Sequence, residues 1–177
     1  MYNKFNLWYN NHMKRLSILL ALLAFLLMTS SIVLINRQPA IQPMKFSEAD
    51  YYWMAKNVYH EAGNQDGAGL LAVMKVTMNR VEHENYPSTI KEVVTQKNSR
   101  GCQFSWYCMK TLHYDEQKFM ETYNYVKAVL PFLHVIEDST HGAIYYHATY
   151  VKPYWAKVKL KTAKIGDHIF YRENDNN

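Results

Sequence analysis

The sequence predicts an α+β chain, mostly helical, with a small β-sheet towards its C-terminal end and one transmembrane helix ahead of the folded part. Three observations carry this expectation. Residues 16–35 contain no charge, glycine or proline. Between residues 47 and 130 apolar side chains recur at helical spacing. Beyond residue 143 the chain changes to short β-type runs rich in aromatics.

The N-terminal segment comes first. Twenty helical residues span about 30 Å, the thickness of a bilayer's hydrocarbon core. Lys14 and Arg15 stand immediately before Leu16. The positive-inside tendency then leaves residues 1–15 in the cytoplasm and sends residues 38–177 across. A cleaved signal peptide fits less well. Thr29, Ser30 and Ser31 are small, but no Ala-x-Ala follows and apolar residues resume at Ile32. No cysteine lies near enough for a lipid anchor. Residues 36–46 carry Pro39 and Pro43 and read as a linker, 47–173 as the folded domain, and 174–177 as a tail.

Charge follows the same division. The chain has a formal net charge of +5, and Lys4, Lys14, Arg15 and Arg37 supply four of those charges with no acid among residues 1–37. The folded part is close to neutral. It lacks the basic surface that nucleic-acid binding requires, so no nucleic-acid partner is expected. The 15 tyrosines, 7 phenylalanines and 4 tryptophans are many for this length, and aromatics both build cores and stack on sugar rings.

Within the domain, Ser47 is a good N-cap and Asp50 suits the first turn after it. Tyr51, Met54, Ala55, Val58 and Ala62 then share a face, and Gly63 offers a stop. Glu61 falls seven residues after Met54, within about 20° of that apolar face. Burial there would raise its pKa. A turn over 64–69 leads to a second helix over roughly 70–83. Its apolar surface is wide enough for the middle of the domain. Ser88 is placed to cap a short helix through Val94. A later helix runs over about 115–130, closed by Pro131. The runs 143–148 and 167–171 are the expected strands, with Pro153-Tyr154-Trp155 between them.

Few chemical motifs survive inspection. Cys102 and Cys108 bracket Gln103-Phe104-Ser105-Trp106-Tyr107, and an oxidising compartment favours a disulfide there over two free thiols. His60-Glu61 starts the zinc-protease motif His-Glu-x-x-His, but Asn64 stands where the second histidine belongs. A scattered site from His141, His147, His168 and Glu61 is the remaining metal option. Histidines in aromatic strands more often make hydrogen bonds, so neither a metal nor a cofactor is expected. No Gly-rich phosphate loop, Gly-x-Ser-x-Gly elbow or Cys/His nucleophile pair is present. What remains is a single acid. Glycosidic cleavage by hydrolases uses two carboxylates, whereas attack by the sugar's own hydroxyl needs one. Asp66, the nearest other acid, lies in the following turn without evident support for a nucleophilic role.

Seven fragments now line up. They are Ala55-x-x-Val58-Tyr59-x-Glu61-Ala62, Ala72-Val73-x-x-Val76-x-x-Asn79-Arg80-Val81, Tyr86-Pro87-x-Thr89, Cys102-Gln103-Phe104-Ser105-Trp106, Gly142-Ala143-x-x-Tyr146-His147-Ala148, Pro153-x-Trp155 and His168-x-Phe170-Tyr171-Arg172. In this order over residues 50–172 the chain resembles the SleB/CwlJ-type cell wall hydrolases, the spore-cortex-lytic enzymes among them. The resemblance implies a lysozyme-like α+β fold, peptidoglycan as substrate and Glu61 as catalytic acid. In the germination members it goes with lytic transglycosylase cleavage between N-acetylmuramic acid and N-acetylglucosamine. Other members are described as N-acetylmuramoyl-L-alanine amidases. Two positions depart from the family pattern. His60 replaces a frequent glycine and is expected to sit near the acid and lower or couple its pKa. Met109-Lys110 replace a frequent Asp-Gly.

The roles that follow are these. Glu61 protonates the glycosidic oxygen and then takes the proton of the C6 hydroxyl. Gln103, Ser105, Tyr146 and His147 position the sugar or stabilise charge, and Trp106 and Trp155 stack on rings. Asn79 and Arg80, mid-helix beside the core, read as structural. The alternatives left open are an amidase and a non-catalytic wall-binding protein. Export, a single anchor and the disulfide fit an inner-membrane protein with its catalytic domain facing the periplasm. The oligomeric state is not legible.

Overall fold

The computed structural model describes residues 2–35, 40–99, 101–111 and 113–174, with side chains of 2–8, 10–11 and 29–35 outside the description. It divides into two compact units, one ending at Ile41 and one beginning at Gln42. The first unit is the helix α1, Tyr2–Ile35. The expected span 16–35 is helical throughout, and its described apolar side chains, such as Leu19 and Leu26, are exposed. Among the described residues no helix is long and apolar enough to cross a membrane. The end of the expected span, 29–35, lies outside the described side chains, as do residues 36–39 of the linker and 175–177 of the tail.

The second unit holds α2 (Glu48–Ala62), α3 (Gly67–Val81), α4 (Ile90–Thr95) and α5 (Glu116–Val129). It also holds a hairpin of β1 (Lys97–Asn98) and β2 (Gly101–Cys102), and a sheet of β3 (Tyr145–Ala148), β4 (Leu160–Ile165) and β5 (His168–Arg172). Short 3-10 turns lie at Ser105–Cys108, Leu130–Val135 and Tyr154–Lys157. Helix α2 starts as its sequence predicts. The Ser47 hydroxyl accepts from the Asp50 N–H, and the Asp50 carboxylate accepts from the Ser47 N–H. Met44 N–H donates to the Pro131 carbonyl, and Phe46 packs on the core. The folded unit therefore takes in residues expected in the linker.

Several boundaries move for identifiable reasons. Asp66 is the N-cap of α3, accepting from the N–H groups of Ala68 and Gly69, so the helix starts three residues before the expected Leu70. Thr89, not Ser88, caps α4. Its hydroxyl accepts from the Glu92 N–H and donates to the Glu92 carboxylate. Pro131 does not end the chain's helical course. It sits at the start of the 3-10 turn Leu130–Val135, where its missing N–H costs nothing. Lys75 fixes that turn to α3 by donating to the carbonyls of Leu133 (2.7 Å) and Ile136.

Helix α3 is the centre of the domain, as its wide apolar surface predicts. Val73 and Met74 join Met54, Val58, Val93 and Val126 in the helical core. Ala72 and Val76, on another face, pack with Ala143 and Phe170 beneath the sheet. The sheet order is β3-β5-β4, antiparallel throughout, with Tyr146 opposite Phe170 and Ala148 opposite His168. At the β4–β5 turn Gly166 has φ +52, and a Cβ there would lie 2.3 Å from the Gln65 amide oxygen. Only glycine fits both demands. The Gln65 amide uses that space. Its Nε2 donates to His168 Nδ1 at 2.9 Å and its Oε1 accepts from the Asp167 N–H. The turn after α2 is thereby tied to the sheet.

Candidate active site

Glu61 occupies the last turn of α2, between Val58 and Ala62, which are fully buried. Gly63 follows in ordinary helical conformation (φ −61), not the left-handed cap a glycine there suggests. Its use is spatial, since a Cβ would lie 2.4 Å from the Tyr59 carbonyl oxygen. Glu61 is therefore held at the helix end, where the sheet meets it. The Tyr146 hydroxyl, from β3, donates to Glu61 Oε2 at 2.9 Å.

The electrostatics of this pair oppose one another. Desolvation pushes the Glu61 carboxyl up from its ordinary value, while the Tyr146 hydrogen bond and the Arg80 charge pull it down. The net direction is up. Tyr146 is pushed well above the usual phenol value, by burial first and by the neighbouring acid second, so it remains a donor. Its ring is held by Phe170 (centroids 5.6 Å apart) and His168 (4.9 Å). Burial depresses the His168 pKa, and its Nδ1 lies 2.9 Å from the Gln65 amide nitrogen, which donates to it. His60 does not take the role expected of it. Its ring stacks on Trp106 with centroids 4.6 Å apart, burial lowers its own pKa, and it is not a cause of the Glu61 shift.

A cleft of about 440 Å³ is lined by Arg80, Asn98, Cys102, Gln103, Tyr145, Tyr146, Trp155 and Lys159; Tyr146 brings the pair to its wall, and Glu61 stands behind it as the acceptor of the Tyr146 hydroxyl. Three of the residues expected around Glu61 thus meet in one place: Gln103, Tyr146 and Trp155. The Cys102–Cys108 disulfide clamps the loop that presents Gln103. Trp155 leans on Tyr145 and Tyr171 with centroids 5.6 and 5.4 Å away.

Three expected residues lie elsewhere. Trp106 is 5 % exposed, stacked on His60, and its Nε1 donates to Asn57 Oδ1 at 3.1 Å. Asn57 in turn donates to Thr77, so Trp106 belongs to a buried network and offers no face to a sugar. Ser105 is exposed at the start of its 3-10 turn and is not part of the cleft wall. His147 neighbours Tyr146 in sequence, but successive strand side chains point to opposite faces. It stacks on Tyr171, its Nδ1 donates to the Ala148 carbonyl, and its Nε2 accepts from the Tyr171 hydroxyl at 3.0 Å.

Arg80 is the residue the sequence undervalues. Asn79 is structural as read, donating to Asp138 and to the Ala143 carbonyl. Arg80 also donates from Nε to the Ile144 carbonyl at 2.8 Å, and its guanidinium lies over Phe104 and Tyr86. Yet it borders the cleft, its Nη1 has no partner among the described residues, and its charge acts on both Glu61 and Tyr146. The signal available in sequence is its place in the last turn of α3 on the side of Thr77 and Val73. Lys159 and Tyr145 were missed as well, and both are bonded to Glu173. Among the described residues no group of three or more His, Cys, Asp or Glu side chains gathers to hold a metal.

The family model described as Cell Wall Hydrolase matches residues 64–171. The chain belongs to the cell wall hydrolase family. The family implies an enzyme whose substrate is peptidoglycan. Solved structures give the fold of this cell wall hydrolase. The catalytic domain of the Bacillus cereus SleB protein has a TM-score of 0.52 at 24 % identity, covering 77 % of this chain and 99 % of that one. The catalytic domain of the germination-specific lytic transglycosylase SleB from Bacillus anthracis has a TM-score of 0.54 at 24 % identity, covering 73 % and 99 %. No curated protein matches significantly. Glu61 lies three residues ahead of the matched range, so its role rests on geometry.

Proposed function

We propose that this chain is a lytic transglycosylase that cleaves the bond between N-acetylmuramic acid and N-acetylglucosamine, with Glu61 as general acid and then base. The observation that carries the reading is the desolvated Glu61 carboxyl, bonded to the Tyr146 hydroxyl at 2.9 Å beside a cleft lined by Gln103 and Trp155. A raised pKa favours the protonated form from which a general acid acts. In the first step the Glu61 proton moves to the glycosidic oxygen as the C1–O bond breaks. In the second the C6 hydroxyl oxygen bonds to C1 and its proton returns to the Glu61 carboxylate. No water is consumed, and the product ends in an anhydro-muramic residue. Asp66, the nearest other acid in sequence, supports the one-carboxylate reading, because it is committed to capping α3.

The test is Glu61→Gln, which keeps size and removes the proton. Native full-length chain should release fragments with anhydro-muramic ends from purified walls, and the variant should release almost none. Fragments at the native rate from Glu61→Gln overturn the role of Glu61. Free stem peptides in place of anhydro ends turn the assignment to an amidase, and binding without any release turns it to a wall-binding protein.

In the same reading residues 16–35 anchor the protein in the inner membrane and residues 38–177 work on the periplasmic side. The support is the uninterrupted helix over 16–35 and the absence of charge within it. Protease added to intact spheroplasts should digest the domain and spare the N-terminal segment. Full protection would refute the orientation.

A further inference from the structure

A second surface, outside the cleft, gathers lysines on aromatic rings. Lys56 of α2 lies 5.3 Å from the Tyr52 ring and 6.0 Å from the Trp53 ring. Lys91 of α4 reaches Trp53 at 5.9 Å. Lys97 of β1 lies 5.1 Å from the Tyr107 ring, and Tyr107 meets Trp53 edge-on at 6.2 Å. Three helical or strand elements thus deliver three ammonium groups to one connected aromatic base. Neither of the ion pairs among the described residues involves them. Glu92, the acid beside Lys91, is occupied by Thr89 in the α4 cap.

Ring contacts hold a lysine in place without neutralising it. Less side-chain freedom is then lost when an anion binds. The place of this surface also matters. The β1–β2 hairpin and the clamped loop supply Asn98, Cys102 and Gln103 to the cleft, and the same segment supplies Lys97 and Tyr107 to the lysine surface. On α2, Lys56 lies five residues before Glu61. The segment 97–107 thus contributes to both regions, and a polymer longer than the cleft has to continue over a neighbouring surface.

We propose that Lys56, Lys91 and Lys97 form a secondary subsite that binds the carboxylates of peptidoglycan stem peptides and holds the strand while the cleft acts on its glycan. The proposal rests on peptidoglycan being the substrate. It makes the enzyme prefer strands that still carry their peptides, and makes that preference sensitive to salt.

The test uses the full chain and the triple variant Lys56→Gln/Lys91→Gln/Lys97→Gln; Lys91 and Lys97 are exposed, Lys56 is half-buried, and none of the three belongs to the core. Three exposed ion pairs of ordinary strength give a rise of about tenfold in the half-saturating concentration of intact sacculi, with kcat unchanged. On glycan strands stripped of stem peptides, native and variant chains should agree. No change on intact sacculi, or an equal loss on stripped strands, overturns the proposal. Sacculi freed of phosphodiester polymers are the third arm. The gap between native and variant must persist there, and its disappearance assigns the lysines to phosphate and overturns the carboxylate subsite. Co-sedimentation with sacculi reads the surface without catalysis. If the native chain cleaves nothing, the proposed function fails, while weaker salt-sensitive pelleting of the variant still supports the subsite and equal pelleting refutes it.

Discussion

Tyr146→Phe isolates one bond of the candidate site. The ring packing on Phe170 and His168 stays, and only the hydroxyl donated to Glu61 at 2.9 Å is removed. A hydrogen bond to a charged group contributes about 1.5–3 kcal/mol, and this one is strongest once Glu61 has given up its proton. With roughly half of the proton transferred at the transition state, about 1 kcal/mol is lost there, a fall of about fivefold in kcat. The pH dependence has a definite sign. Tyr146 lowers the Glu61 pKa, so its loss raises it, and the basic limb of the kcat profile moves to higher pH. Stability moves too. Burial holds the folded-state pKa of Glu61 above its unfolded value. The associated stability is therefore complete below the unfolded value and is lost as pH rises through the folded one. Tyr146→Phe deepens that loss on the alkaline side. Rates of anhydro-muramic product release from pH 4 to 9, with melting temperatures at the same points, measure both effects. A limb that stays in place, or moves to lower pH, refutes the coupling of Tyr146 to the acid.

Arg80→Gln removes the positive charge that also lowers the Glu61 pKa, so the basic limb should again move up, whereas Arg80→Lys should leave it close to native; identical limbs in native and Gln variants would reduce Arg80 to a packing role. Replacing Cys102 and Cys108 with serine opens a small clamped loop with a sequence separation of 6. The chain-entropy relation gives a loss of about 2–2.5 kcal/mol, read by urea denaturation, and reductant should affect only the native chain. Activity should fall more than the melting temperature alone explains, because the loop presents Gln103 to the cleft.

Helices were legible because their signals are local. The Ser47/Asp50 cap, the face through Met54 and Val58 and the wide apolar surface of α3 are all written in adjacent residues. Strand β4 was not. Leu160-Lys161-Thr162-Ala163-Lys164-Ile165 has weak alternation, and it is a strand because β5 supplies its partner, with an irregularity between Lys161 and Ala163. Site residues divide in the same way. Glu61 and the clamped loop follow from helical phase and cysteine spacing. Trp106 and His147 were misplaced, since ring exposure depends on what packs above. Trp106 meets His60, 46 residues earlier, and the Tyr146–His147 pair is split by the pleat of β3.

The sheet is small, yet the acid depends on it. Tyr146 packs against both the helical core and the cluster of Ala72, Val76, Ala143 and Phe170 beneath the sheet. Glu61 belongs to the helical side and its hydrogen-bond donor to the other. Its tuning therefore exists only while β3 is docked on α3, and Arg80 strengthens that docking through the Ile144 carbonyl at 2.8 Å. Gln65 adds a second tie from the turn after α2 to His168 and Asp167. If the sheet lifts, Glu61 loses its donor and the wall that desolvates it in one motion. The same contacts that hold the two halves together thus set the proton affinity of the group between them.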